Sequence, residues 1–414
     1  MQILKPTFDR IALAAAVLLL AIGPLAHVRG LRFGCVAILA AWLLYQFVQD
    51  RSSLQMPGWQ SLLAFCGLAA LSLKWSVAPD LTIKHLWQDL LLPLITAFAC
   101  YRLASEAGNS RWLAGATVVY ILLLAGISLS PTDVLFFDGD RPGMAFYYPG
   151  LGESSTLACY ILPVWLVVLV RGNLFLRLVA GVALLATLYV GYASLNRMFW
   201  IAALASTAVF LLLYRPISKR TILALLLVCS ATAAVGYVAF AKRLAVYNIK
   251  SDQALSTTIA VDQRPAAWKF WLTEAGNHLL LGKGFGRYTP AGDIQPHRVP
   301  GLIMPDMNAP RSLAHSHSLL LNIVLQLGFP GLLLFGIVVF QIMRRMIRAI
   351  RTNQGRVVAA GGIALLVAVF MKNATDDFVN GTPGILLWAY IGIALALCQN
   401  ALNNKDSGIE AESR

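Results

Sequence analysis

About twelve apolar runs, most of them near the length that crosses a lipid bilayer, follow one another along the chain. They cover residues 11–25, 33–48, 59–73, 90–103, 112–129, 155–170, 178–192, 198–214, 221–241, 319–343, 357–371 and 385–398. A bilayer offers backbone N–H and C=O groups no water, so segments of this kind must satisfy them internally. The expected class is an all-α polytopic membrane protein with about 12 transmembrane helices, built as one domain over residues 1–414. A composition that is 58% hydrophobic and 13% charged belongs to that class. Several runs fall short of the ~20 residues of an upright span, so some are expected to be broken or partly buried in protein.

Orientation follows from lysine and arginine placement. An inside N-terminus puts about 17 of the 33 basic residues on the cytoplasmic side, against about 7 in the short outer loops. The inner set includes Arg51, Arg102, Arg111, Arg171, Arg177, Arg215 and the cluster Arg344, Arg345, Arg348, Arg351 and Arg356. Both termini are then cytoplasmic. The net charge of +14 reads as topology and contact with anionic membrane lipids, with no nucleic acid implied. All six cysteines lie in or beside apolar runs, so neither a disulfide framework nor a thiolate metal site is expected. The first run lacks a small-residue cleavage pattern and reads as a retained span.

One polar island of about 75 residues, 242–316, interrupts this pattern between the expected spans 9 and 10. It is the large extracytoplasmic loop of the expected topology. Within it, Arg264-Pro265 looks like a helix start, because proline is favoured at the first helical position. Trp268, Trp271 and Leu272 recur at helical spacing, and Gly276 is a plausible stop, giving a short amphipathic helix suited to a bilayer surface. Arg264 at that N-terminus suits an anion, or simply pairs with Asp262. Gly282-Lys283-Gly284-Phe285-Gly286-Arg287 is Gly-rich but not a nucleotide loop, and reads as a tight turn.

Two further outer segments carry polar groups. Residues 130–154 mix carboxylates with aromatic rings, as an interfacial belt or a sugar platform does. The segment from Lys372 to Gly384 contains the adjacent carboxylates Asp376 and Asp377, readable as a solvated turn or as groups that orient a base or hold a sugar hydroxyl. Arg197 follows the short break Ser194-Leu195-Asn196 within an otherwise apolar stretch, and an ionisable residue at such depth is a functional candidate. His315 and His317 sit where the island enters the next span. Residues at i and i+2 do not share a helical face, so no metal is expected, and a neutral imidazole acting as a general base fits better.

The junction His317-Ser318-Leu319-Leu320-Leu321-Asn322, followed by Leu327-Gly328-Phe329-Pro330-Gly331, resembles the signature of the O-antigen ligase and polymerase superfamily. Arg264 with Trp268 and the Gly-rich loop, and Ser194-Leu195-Asn196-Arg197, are similar to that superfamily's other motifs in order and spacing over residues 192–334. Ser318 stands where that signature usually has asparagine. The resemblance implies a GT-C-like integral membrane glycosyltransferase, without cofactor or metal, in a bacterial inner membrane with its site on the periplasmic face. It implies a donor glycan on undecaprenyl pyrophosphate and, for the ligase branch, a lipid A-core acceptor. By the same resemblance His317 is the base, Arg264 and Arg197 neutralise the pyrophosphate, and His315, Asp376 and Asp377 assist substrate binding. A polymerase or protein oligosaccharyltransferase shares these motifs. A lipid-linked sugar transporter is the alternative outside the enzymes.

Overall fold

The apolar runs fold as helices. The structure is a computed structural model describing residues 5–23, 28–50, 55–129, 151–194, 196–215, 264–293 and 315–412, with single positions at 25, 223, 227, 230, 231, 234 and 237. Every regular element among the described residues is helical. In chain order they are α1 (Lys5–Ala21), α2 (Arg29–Gln49), α3 (Trp59–Leu71), α4 (Pro79–His85), α5 (Leu92–Ser105), α6 (Asn109–Leu129) and α7 (Leu151–Arg171). Then come α8 (Leu174–Ala193), α9 (Arg197–Tyr214), α10 (Arg264–Asn277), α11 (Leu319–Ile350), α12 (Arg356–Asn373) and α13 (Gly381–Glu412). Eight of the described helices are long and apolar enough to cross a membrane. The shorter α3 is apolar too, and α5 is lengthened by α4 and a π-turn over Leu86–Leu91. Apart from single positions, the expected span at 221–241 lies outside the described residues, as do 130–150 and most of 242–316.

Helix directions follow from a few contacts. The Ser206 hydroxyl of α9 donates to the Ala364 carbonyl of α12 at 3.0 Å, and Phe210 packs on Val357, Ala360 and Ala364. The two helices are therefore antiparallel, and Arg197 lies level with the Lys372–Asn373 end of α12. In contrast, α5 and α13 are parallel. Pro93 lies beside Gly384, Ala97 beside Gly392, and the Ser105 carbonyl beside the Asn400 amide. Glycine at 392 is what permits this approach, since a Cβ there would lie 2.3 Å from the Ala97 carbonyl oxygen.

These directions sort the charges. Arg102, Arg171, Arg215, Arg351 and Arg356 gather at one end of the bundle, where Arg171 donates to the Gln354 carbonyl and Arg345 to the Gln399 side chain. The starts of α5, α9, α11 and α13 gather at the other end, with His315, His317, Asp376 and Asp377. The grouping matches the two-sided pattern of the basic residues in the sequence.

The span expected as one run over 319–343 is broken. Gly328 has φ 66° and ψ −166°, outside the helical region, and Pro330 follows. At 1.5 Å per residue the whole of α11 is about 48 Å long, more than a ~30 Å hydrocarbon core. Its first turns thus extend beyond the length of an upright span. A break frees backbone groups that lipid cannot satisfy. Here the residues after α10 satisfy them: the Lys283 N–H donates to the Leu325 carbonyl at 2.7 Å, and the Gly284 N–H to that of Gln326 at 3.0 Å. The Phe329 N–H donates to the Leu279 carbonyl at 2.7 Å.

Helix α10 lies along the first half of α11. Its buried stripe is Ala267, Trp271 and Ala275, packed on Leu321, Val324 and Leu325. Of the expected stripe of Trp268, Trp271 and Leu272, Trp271 is buried in this packing, while Leu272 is 60% exposed on the side away from it.

Candidate functional site

The Gly-rich loop is the tight turn its spacing suggests, and it wedges into the bundle. A Cβ on Gly282 would collide with the Gln326 backbone, one on Gly284 with Ser76, and one on Gly286 with His85 and Thr289. All three glycines have positive φ. The Gly286 N–H donates to the Gln326 side chain at 2.9 Å, and the Phe285 N–H to the Ser72 hydroxyl at 2.9 Å. This anchoring delivers Arg287 to the bundle interior with 8% exposure.

His315 and His317 meet Arg287 there. The imidazole centroids are 4.0 Å apart. Arg287 Nη2 lies 2.9 Å from His315 Nε2, and the His317 backbone N–H lies 3.1 Å from His315 Nδ1. His317 has φ 50°, a left-handed conformation rarely adopted by a residue with a side chain, and such conformations cluster at functional sites. Sequence spacing alone does not reveal this strained turn.

The turn between α12 and α13 closes the site from the other side. Asp376 and Asp377 are 5% and 4% exposed, which removes the solvated-turn reading of this pair. Lys372 is fully buried in the last turn of α12, where it donates to Asp376 Oδ2 at 3.0 Å. The other carboxylate oxygen, Asp376 Oδ1, lies 3.7 Å from His317 Nδ1. That distance exceeds a hydrogen bond, and His317 Nδ1 has no hydrogen-bond partner among the described residues. Asp377 accepts from the Asn322 side chain in the first turn of α11. Burial pushes the Asp377 carboxyl above the usual range, while Arg287 and the Asn322 bond oppose that rise.

Phe378 stands between the two buried cations, with its ring 4.9 Å from the Arg287 guanidinium and 5.0 Å from Lys372 Nζ. The turn is clamped by Asn373, whose side chain accepts from the Phe378 N–H at 2.7 Å, and by the Tyr160 hydroxyl, which donates to the Phe378 carbonyl at 3.2 Å.

A narrow cleft runs from this cluster between α3, α5, α11 and α13. Leu62, Phe65, Leu94, Ile323, Phe335 and Trp388 make it apolar, and Asp89, Arg287 and Asp377 sit at its polar end. Asp89 comes from the π-turn, a distortion common at functional sites. It accepts from the Gly381 N–H at 2.8 Å, and its other oxygen is 2.5 Å from His85 Nδ1.

Of the residues singled out in the sequence, the structure brings together His315, His317, Asp376 and Asp377. Arg197 is exposed at the start of α9, on the same end of the bundle, just after the Asn196 side chain that caps the Met198 N–H at 3.0 Å. Arg264 is the first residue of α10, which runs along the first half of α11 toward the break. Arg287, Lys372, Asn322 and Asp89 are further members that the sequence motifs did not single out. Among the described residues, no group of three His, Cys, Asp or Glu side chains has a metal-binding arrangement.

Residues 182–336 of this chain match a protein family described as O-antigen ligase. The matched region begins within α8 and runs through α9, α10, the Gly-rich loop, the histidine pair and the break in α11. No curated protein matches the chain.

Proposed function

We propose that this protein is an O-antigen ligase, a membrane glycosyltransferase that moves a glycan from undecaprenyl pyrophosphate to lipid A-core oligosaccharide at the periplasmic face of a bacterial inner membrane. The observation that carries this reading is His317 at the mouth of a broken span, inside the region similar to O-antigen ligases, with the buried Lys372–Asp376 pair from outside that region beside it. A general base needs an orienting partner and access to a hydroxyl. His317 has Asp376 on its Nδ1 side, and its side chain is 21% exposed.

In the proposed step the acceptor hydroxyl oxygen bonds to the anomeric carbon and gives its proton to His317. The bond from that carbon to the pyrophosphate oxygen breaks, and its electron pair leaves with the pyrophosphate. One displacement inverts the anomeric configuration. Arginines neutralise the growing charge on the leaving group, a role suited to fixed, permanently charged forks. Arg197 and Arg264 take this role, and Asp377 with Asn322 holds a substrate hydroxyl.

The test is transfer by purified protein in lipid nanodiscs, given lipid-linked glycan and core-lipid acceptor without added metal. Wild type should produce glycan-capped core lipid, and His317→Ala should lose transfer by at least about 100-fold while melting normally. Glycan joined instead to a second lipid-linked repeat identifies a polymerase. Glycan moved across the bilayer with no new bond identifies a transporter. Normal transfer by His317→Ala removes the general base.

A further inference from the structure

Leu279, Leu280 and Leu281 form the turn between α10 and the Gly-rich loop, and all three are exposed. Leu280, at 78%, is the most exposed large apolar side chain among the described residues. The proposed transfer step uses none of them. A contiguous apolar patch on the outside of a protein marks a contact with something apolar.

The turn is held firmly in place. The Leu279 carbonyl accepts from the Phe329 N–H at 2.7 Å, and the Leu281 carbonyl from the Trp75 indole N–H at 2.9 Å. The Gly282 N–H donates to the His278 carbonyl at 2.8 Å. The tip is thereby pinned between the residue that follows α3 and the break in α11. Non-helical backbone is tolerated at membrane depth only where protein supplies its partners, and these bonds supply such partners.

Its depth follows from α11. Arg344 and Arg348 stand toward the end of that helix remote from the histidines. At 1.5 Å per residue, Phe329 lies about 22 Å from Arg344 and about 28 Å from Arg348 along the axis. Both lengths are shorter than the ~30 Å hydrocarbon core, and tilt reduces the height further. With these arginines at one edge of the core, Phe329 falls inside the opposite edge. Leu279, bonded to its N–H, falls at the same level.

The neighbouring faces agree. Phe329, Leu333, Ile337 and Phe340 make an exposed stripe at i, i+4, i+8 and i+11 on α11, the spacing of one helix face. In α3, exposed Leu71 precedes Lys74 and Trp75, and a lysine beside a tryptophan suits the boundary of hydrocarbon and water. The leucine turn continues both lipid-facing surfaces at their site end. The buried face of α10 is occupied by α11, so the membrane contact expected of that helix passes to the turn that follows it.

We propose that Leu279-Leu280-Leu281 is the tip of a re-entrant segment, inserted among the acyl chains of the leaflet at the end of the bundle that holds the histidines. Helix α10 descends to the tip and the Gly-rich loop returns from it. The tip fixes the depth of that loop, and of the break it pins, relative to the bilayer. This holds whatever reaction the site performs.

The test is electron paramagnetic resonance of a spin label on Leu280→Cys, in full-length protein in lipid nanodiscs, with the signal of labelled wild type subtracted. Collision with oxygen, which concentrates in hydrocarbon, is compared with collision with a water-soluble nickel chelate. Leu333→Cys is the lipid-facing reference. Lys269→Cys, exposed on α10 about two turns before its end, is the water-facing one. Oxygen should dominate at Leu280 as at Leu333, and the order should reverse at Lys269. Leu281→Cys carries the same test if Leu280→Cys does not purify. Dominance of nickel at the tip puts it in water and overturns the proposal. Shielding from both reagents shows a cover made by another part of the chain, and dipolar broadening between labels shows a second copy of it; either result overturns the proposal as well.

Discussion

Gly282 sits at φ +67°, and a methyl group added there would lie 2.4 Å from the Gln326 carbonyl carbon, 2.5 Å from its oxygen and 2.5 Å from the Leu327 nitrogen. None of these atoms is the end of a flexible side chain. Ordinary contact begins near 3.4 Å, so in Gly282→Ala the loop and the broken span must separate by about 1 Å. A left-handed backbone costs a residue with a Cβ about 1–2 kcal/mol. Overpacking adds about 1–3 kcal/mol, giving roughly 2–5 kcal/mol in all. The displacement strains the Lys283 and Gly284 hydrogen bonds to α11 and shifts Arg287 away from His315. Thermal melting of the purified protein should therefore fall by roughly 5–10 °C. Transfer, assayed well below the melting point, should drop by up to about 100-fold, the scale of a 1 Å misplacement at a reacting site. Gly276→Ala is the matched control. Gly276 lies in the last turns of α10 with nothing within 4 Å of an added Cβ, so the same change there should be neutral, or stabilising by up to about 1 kcal/mol. If Gly282→Ala melts and works like Gly276→Ala, the loop is not what holds the break in α11, and the account of the site given above fails at its base.

Lys372→Met leaves Asp376 buried without its cation and should destabilise the protein by about 3–5 kcal/mol, measured by thermal melting; adding Asp376→Asn should recover part of that loss, and a strictly additive double mutant would refute the pairing. For Asp377 the folded-state carboxyl titrates above its unfolded value of 3.8, so its contribution to stability is complete below that value and fades as pH rises through the raised one. Asp377→Asn keeps the acceptor for Asn322 and removes the titration. Melting followed from about pH 4 to about pH 8 should show a smaller loss in this variant than in wild type. Parallel curves would show that Asp377 does not titrate differently in the fold.

Periodicity made the helices legible and the charges made their sidedness legible. Hydropathy alone did not show the break at Gly328, because it stays high across Leu325–Leu333; only the Leu327-Gly328-Phe329-Pro330-Gly331 motif of the resemblance, which ends in a turn, pointed to it. What fixes the break is a set of donors from residues 279–284, distant in sequence and joined only by the fold. The histidine pair and the two aspartates were legible as candidates, but their burial was not: an Asp-Asp turn between spans reads alike whether it faces water or a cleft. Arg287 was hidden within a motif whose glycines draw the eye to backbone shape. Its signal was a cation directly after three alternating glycines, where the turn must carry it inward. Lys372 looked like a flanking charge at a span end. Only its complete burial beside Asp376 separates it from the lysines that such positions usually hold.

The helix directions explain why the two sets of arginines call for different accounts. A helix carries partial positive charge at its N-terminus and partial negative charge at its C-terminus. Arg102, Arg171 and Arg348 occupy the last turns of α5, α7 and α11, where the backbone field favours a cation. Their placement needs no ligand to explain it. Arg197 opens α9, Arg264 opens α10, and Arg287 is buried at the end where α5, α11 and α13 begin. There the starts of α9 and α10 present the same sign of charge as Arg197 and Arg264, while the ends of α8 and α12 at that side present the opposite sign. Lys372 at that end is neutralised by Asp376, and the raised Asp377 supplies less negative charge than an ordinary carboxylate would.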